Sequence, residues 1–139
     1  MSMIVNRRDL DFLMYEVLDL ERLLEEPRYA DYDRAAVDAV LDTAQQIAEE
    51  KFLSCAAELD AREPSFDGTR VEIIPEVGEA LEAYRAAGFF GASFDAEVGG
   101  LQMPVMVSMA ASGIFTCANC GVASYPFLTV GAANMVNAF

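Results

Sequence analysis

Residues 33–59 decide the fold class, and they read DRAAVDAVLDTAQQIAEEKFLSCAAEL. Apolar residues recur three and four positions apart through this stretch, which is the spacing of one face of an α-helix. Asp33 is suited to the N-cap, and acidic residues such as Asp42 and Glu49 lie on the opposite face. The stretch therefore predicts a long amphipathic helix with a solvated acidic side. Its apolar stripe consists of Val37, Val40, Leu41, Ala44, Ile47, Ala48, Phe52, Cys55 and Leu59.

Four more helices are expected, one before this helix and three after it. The first starts at Asn6, which we expect to form a capping pair with Asp9, and it ends before Pro27. The third runs from Pro75 to Gly88, since proline suits the first helical position and glycine the position just after the end. One apolar stripe of the first helix consists of Leu10, Leu13, Met14, Val17 and Leu18.

The last two helices are predicted to open at Pro104 and Pro126, the former ending near Thr116 and the latter running to Phe139. Loops are predicted at residues 63–68 and 95–100, where Gly99 and Gly100 permit positive φ. No strand-like alternation persists anywhere. The prediction is an all-α bundle of about five helices, with an N-terminal helical extension over residues 1–32 and a main domain over residues 33–139.

The composition narrows the classes of function. The chain has 139 residues, is 54% hydrophobic and carries a net charge of −14, from 23 acidic against 9 basic residues. This composition excludes disorder, and this charge disfavours nucleic acid or anionic lipid as a partner. Histidine is absent, which removes the usual general base and the commonest metal ligand. With no signal peptide after Met1 and only three cysteines, a cytoplasmic location is expected.

Residues 98–139 contain no Asp, Glu, Lys or Arg. Three interpretations compete for this charge-free segment. A membrane span is disfavoured because prolines and polar residues interrupt every apolar run. Both helices could be buried entirely within this domain, or they could lie against protein outside it, which suits helices that are apolar all round. The third interpretation is preferred, and with it the expectation that the chain is a fragment.

Cys117 and Cys120 form a CxxC motif within the charge-free segment. A structural zinc site needs four ligands, and Cys55 is the only other cysteine in a chain without histidine. A redox pair needs an exposed helix N-terminus, whereas this run is apolar. We therefore expect buried, inert cysteines and no metal, with redox and metal roles as the alternatives. The acidic clusters lie on predicted solvent faces, so no catalytic residue is proposed among them.

Three further stretches resemble the acyl-CoA dehydrogenase family. Residues 82–100 read EAYRAAGFFGASFDAEVGG, which is similar to the family's helix that ends at a glycine, followed by an apolar step, an acidic pair and Gly-Gly. Residues 125–134, YPFLTVGAAN, resemble the family's next helix. The stretch FLMYEVL at residues 12–18 resembles the 3-methylmercaptopropionyl-CoA dehydrogenase-like subgroup. One departure is Ser93-Phe94, where many members have a proline before the acidic pair.

The resemblance implies the N-terminal helical domain of an FAD-dependent enzyme that dehydrogenates acyl-CoA thioesters at the α,β bond. FAD and the catalytic Glu of such enzymes lie in a middle β-domain and a C-terminal helical bundle, so no catalytic residue is carried onto this chain, which should be inactive alone. The N-terminal domain lines part of the acyl cavity. Candidates for this lining are Phe115, Asn119, Tyr125 and Phe127, although the residues alone favour Tyr125 and Phe127 as core aromatics.

The expected partners are therefore acyl-CoA and the middle and C-terminal domains of the same enzyme. The protein is also expected to form a homo-oligomer. The alternative is a non-enzymatic helical module that associates with itself through residues 101–139.

Overall fold

A computed structural model describes residue 2 and residues 4–139. Within these residues the regular secondary structure is helical apart from one short hairpin, which agrees with the predicted all-α class. The helices are α1 (Arg7–Asp11), α2 (Leu20–Leu24), α3 (Arg34–Ile47), α4 (Ala56–Ala61), α5 (Pro75–Ala86), α6 (Val105–Ala118) and α7 (Cys120–Asn137). The antiparallel hairpin of β1 (Ser65–Phe66) and β2 (Val71–Glu72) was not predicted and starts inside the predicted 63–68 loop. No helix in the described part of the chain is both long and apolar enough to cross a bilayer.

The long helix predicted for residues 33–59 is present in three consecutive pieces. Helix α3 continues into a π-helical segment, Ala48–Leu53, and then into α4. Its start is as predicted, because the backbone N–H of Ala36 donates to Asp33 Oδ1 at 2.7 Å. Most of the predicted stripe is buried, including Leu41, Ala44 and Phe52 at 0% exposure. The π-helical turns therefore interrupt the hydrogen-bond pattern without turning the apolar face away from the core.

The first predicted helix differs more from expectation. Helix α1 passes into a π-helical segment, Phe12–Val17, and Asp19 then adopts a φ of +52° before α2 begins. Each residue turns an α-helix by roughly 100°, so the wider π turns displace the side chains that follow from a strict 3.6-residue stripe. Of the predicted stripe, Met14 is buried, whereas Val17 and Leu18 are more than half exposed.

The predicted capping pair at the first helix is also wrong in its bonding. Asn6 occupies the N-cap position, but its side chain makes no hydrogen bond to the helix backbone. Instead Asn6 Nδ2 donates to Asp9 Oδ2 at 2.7 Å. The amide thus donates to the local carboxylate and leaves the first helical N–H groups without a side-chain cap.

The fifth helix was predicted to open at Pro126, and this is wrong. Helix α7 begins at Cys120, and Pro126 is buried inside it. The helix starts earlier because Asn119 has an extended backbone (φ −163°) and its side chain accepts the backbone N–H of Val122 at 3.2 Å. Inside a helix, proline removes one backbone hydrogen bond at a cost of about 3 kcal/mol, which tertiary packing must offset. The predicted starts at Pro75 and Pro104 agree with α5 and α6.

The core lies where α3, α5 and α6 meet, and α7 packs against α6 beyond it. The predicted loop at 95–100 folds back against the segment that follows α5. Gly100 is required there, because a Cβ at this position would lie 2.1 Å from the backbone oxygen of Phe94. The backbone N–H of Leu101 donates to Gly91 O at 2.9 Å, and that of Met103 to Ala92 O at 2.8 Å. These hydrogen bonds hold residues 89–93 beside α6 and α7.

Candidate functional site

A groove of about 750 Å³ lies between α6, α7 and the segment that follows α5. None of the residues that line it carries a charge. They are Tyr84, Phe89, Phe90, Ala92, Ser93, Val105, Ser108, Met109, Ala111, Ser112, Phe115, Ala123, Pro126, Phe127, Leu128, Val130, Gly131, Ala132, Asn134 and Met135. Such a concave, mainly apolar cavity with a few polar groups is the usual form of a site for a small organic ligand.

Aromatic rings from three parts of the chain form the floor of the groove. The ring of Phe115 on α6 lies edge-to-face against Tyr84 on α5, with centroids 4.8 Å apart. Phe89 meets Phe115 at 5.1 Å, also edge-to-face, and Phe90 meets Tyr84 at 5.0 Å. Aromatic pairs in this geometry add about 0.5–1.5 kcal/mol beyond the burial of their area. The floor is therefore a rigid part of the core, and it limits how deep a ligand can enter.

The rim of the groove is apolar but open to solvent. Val105 and Met109 on α6 are 61% and 62% exposed, and Phe127 on α7 is 71% exposed. Beyond Pro126, no residue of α7 is buried. The interpretation in which both charge-free helices are buried within this domain is therefore wrong, because only the first part of α7 packs against the body.

Two of the four predicted acyl-contacting residues lie in the groove. Phe115 belongs to the floor and Phe127 to the rim. Tyr125 is 42% exposed and does not line the groove. Asn119 lies at the corner between α6 and α7, where its Oδ1 caps α7 and its Nδ2 donates to Phe52 O at 3.1 Å. The structure thus shows these last two residues outside the groove.

Several lining residues were not proposed from the sequence. Tyr84, Phe89 and Phe90 lie within the 82–100 stretch that carries the family resemblance, but none of them was predicted to line a site. A usable signal was present on α6, where Ser108 and Ser112 are four residues apart in an otherwise apolar helix and so share a face. Ser108 Oγ is occupied within the helix, since it donates to Val105 O at 3.0 Å.

The expectation of buried cysteines is correct for Cys55 and wrong for the CxxC motif. Cys117 and Cys120 are both exposed, because they lie at the end of α6 and the start of α7, on the outer side of the corner. The Cys55 thiol is buried and donates to Phe52 O at 3.4 Å, and burial raises the pKa of Cys55. Among the described residues, no group of three or more Cys, Asp or Glu side chains is placed to hold a metal ion.

The family profile described as acyl-CoA dehydrogenase, N-terminal domain, matches residues 35–139. This match extends over most of the chain and includes every element that forms the groove. The chain therefore belongs to the acyl-CoA dehydrogenase family, of which it carries the N-terminal domain, as the resemblance indicated. No curated protein matches the chain.

Proposed function

We propose that this domain supplies part of the acyl-binding wall of an FAD-dependent enzyme that dehydrogenates an acyl-CoA at the α,β bond. The observation that supports the proposal is the uncharged groove, with its aromatic floor and apolar rim, inside the region that matches the family. Burial of a methylene group stabilises a complex by about 0.8 kcal/mol, so an extended acyl chain gains affinity along such a wall without any charged contact. Phe127 on the rim would contact the acyl chain, and Phe115, which is 1% exposed, would lie beneath it in the floor.

The groove does not fit FAD itself. The cofactor carries a pyrophosphate, which proteins bind with basic side chains or with a glycine-rich turn at a helix start. The lining offers no Lys or Arg, and residues 98–139 contain none at all. We therefore assign the flavin and the redox step to other domains of the enzyme. The proposed role of this domain is to hold the acyl chain and to exclude water from it.

The exposed half of α7 is the second part of the proposal. Leu128 and Val136 are 69% and 76% exposed, and Met135 is 63% exposed, on a helix without a charged residue. Contiguous exposed apolar surface of this kind marks an interaction site. We propose that the middle and C-terminal domains of the enzyme cover this surface.

Self-association through residues 101–139 is the second candidate for this apolar surface. One observation favours it, namely that the net charge of −14 is confined to residues before 98. Two copies can therefore meet through α6 and α7 without bringing their acidic parts together.

Calorimetric titration of the 139-residue chain with S-dodecanoyl pantetheine, an uncharged thioester, tests the acyl-binding role. We expect saturable binding. Met109→Lys should weaken it at least tenfold, because the bound acyl chain would remove water from the new charge on the rim. Val136→Lys is the matched control, since it places the same charge on exposed α7 outside the lining. Absence of binding, or equal losses in the two variants, would contradict the proposal.

The absorbance spectrum of the purified chain tests the assignment of the flavin. We expect no stoichiometric flavin band after incubation with FAD and dialysis, and a stoichiometric band would refute this assignment. The reaction itself is tested on the product of the complete open reading frame, where an acyl-CoA should bleach the flavin absorbance. A flavin that no acyl-CoA reduces would contradict the proposed reaction.

A further inference from the structure

The hydroxyl of Tyr84 has no hydrogen-bond partner among the described residues, although the side chain is only 9% exposed. Buried tyrosine hydroxyls normally find a partner. The ring is held in place by Phe90 and Phe115 at 5.0 and 4.8 Å. Tyr84 lines the groove, and its hydroxyl retains some accessible surface, unlike the sealed and unpaired hydroxyl of Tyr15. The tyrosine therefore presents a donor to the groove that the fold itself does not use.

Two more residues with unpaired hydroxyl groups line the same groove. Ser112 is one turn before Phe115 on α6, and Ser93 follows Phe90 by three residues; both are half-buried and line the groove. Neither Oγ has a hydrogen-bond partner in the part of the chain that the structure describes. The other Ser and Thr hydroxyls of α6 and α7 all donate to a carbonyl of their own helix; these residues are Ser108, Thr116, Ser124 and Thr129. Ser112 is thus the one Ser or Thr of α6 and α7 whose hydroxyl makes no hydrogen bond within the described residues, and it lines the groove.

We propose that Tyr84, Ser93 and Ser112 form a polar subsite that binds an uncharged oxygen, a ketone or hydroxyl group, on the ligand's acyl chain. The inference rests on the proposed acyl-binding function and adds a substrate class to it. Burial raises the pKa of Tyr84, which keeps its hydroxyl protonated and able to donate. A carboxylate does not suit the subsite, because the lining has no cation to compensate for its desolvation.

Calorimetric titration of the 139-residue chain with two kinds of thioester tests the subsite. The first is S-dodecanoyl pantetheine, and the second is a series of its keto derivatives in which the ketone is moved along the chain one carbon at a time. We expect one keto position to bind about five- to tenfold more tightly than its neighbours, since one net neutral hydrogen bond is worth about 1 kcal/mol.

Tyr84→Phe should abolish that positional preference, because it removes only the hydroxyl. The same variant should change the affinity for S-dodecanoyl pantetheine, which has no ketone on its acyl chain, by less than about twofold. Ser112→Ala should reduce the preference, and Tyr125→Phe is the control because its hydroxyl lies outside the groove. A flat keto series, or a preference that persists in Tyr84→Phe, would overturn the subsite and leave the acyl groove intact. Failure of S-dodecanoyl pantetheine to bind would instead overturn the acyl-binding role of the groove, and the subsite with it.

Discussion

Replacement of Asn119 by alanine should lower the free energy of unfolding by about 2–3 kcal/mol. The side chain joins two elements, since Oδ1 accepts the N–H of Val122 at 3.2 Å and Nδ2 donates to Phe52 O at 3.1 Å. Loss of an N-cap costs about 1 kcal/mol. Loss of a donor to a partly buried carbonyl costs about 1–2 kcal/mol more, although the Cys55 thiol at 3.4 Å remains a weak partner for it.

Asn119→Ser separates the two contributions. Serine retains an N-cap acceptor but cannot reach the Phe52 carbonyl, so its cost should be about 1–2 kcal/mol and below that of alanine. The assay is urea unfolding followed by far-ultraviolet circular dichroism at one fixed protein concentration, because association shifts apparent stability. The slope against urea should not change if the folded structure is preserved.

Two results would refute this reasoning on stability, namely a loss below about 0.5 kcal/mol for Asn119→Ala, or equal losses for alanine and serine. A third result would refute a purely structural role of Asn119, namely a folded Asn119→Ser protein that binds S-dodecanoyl pantetheine markedly more weakly than the wild type. The structure shows Asn119 outside the groove. Weaker binding by Asn119→Ser would instead support the acyl-contacting role that the sequence predicts for this residue.

Three further outcomes are expected. Phe127→Glu should weaken self-association of the chain at least tenfold in sedimentation velocity, since burial of a Phe is worth about 1.5–3 kcal/mol; a wild-type chain that is monomeric at micromolar concentration would contradict this. A thiol reagent should label Cys117 and Cys120 in the native chain but Cys55 only after unfolding, as read by mass spectrometry. Protection of all three cysteines in the native chain would contradict this expectation. The contribution of Tyr84 to stability should be lost above about pH 10, because folded Tyr84, with its raised pKa, retains a proton that the unfolded chain has released. Tyr84→Phe should therefore reduce the fall in stability above that pH in urea titrations, and an unchanged fall would count against this reasoning.

The sequence alone was enough to predict the fold class and the elements whose signals are local. Helix α3 combines a 3.6-residue apolar period, an acidic outer face and the cap at Asp33, and these signals agree with one another. Gly88, with a φ of +81°, ends the helical region after α5 as predicted, because glycine adopts this conformation without steric cost. Each of these features depends on residues within a few positions of one another, so the chain encodes them without reference to the rest of the fold.

The start of α7 and the membership of the groove were decided by tertiary structure. Pro126 carries a valid local signal for a helix start, but Asn119 caps α7 earlier by accepting the N–H of Val122. The bond from Asn119 to Phe52 O, 67 residues away in sequence, favours this earlier start over the one at Pro126. Tyr84 and Phe115 each match an ordinary core position in their own helices, and they become a groove floor only where α5 meets α6. The sequence determined which residues are apolar and how they repeat. The packing of α5, α6 and α7 decided which apolar faces stay open, because burial depends on neighbours that local periodicity does not specify.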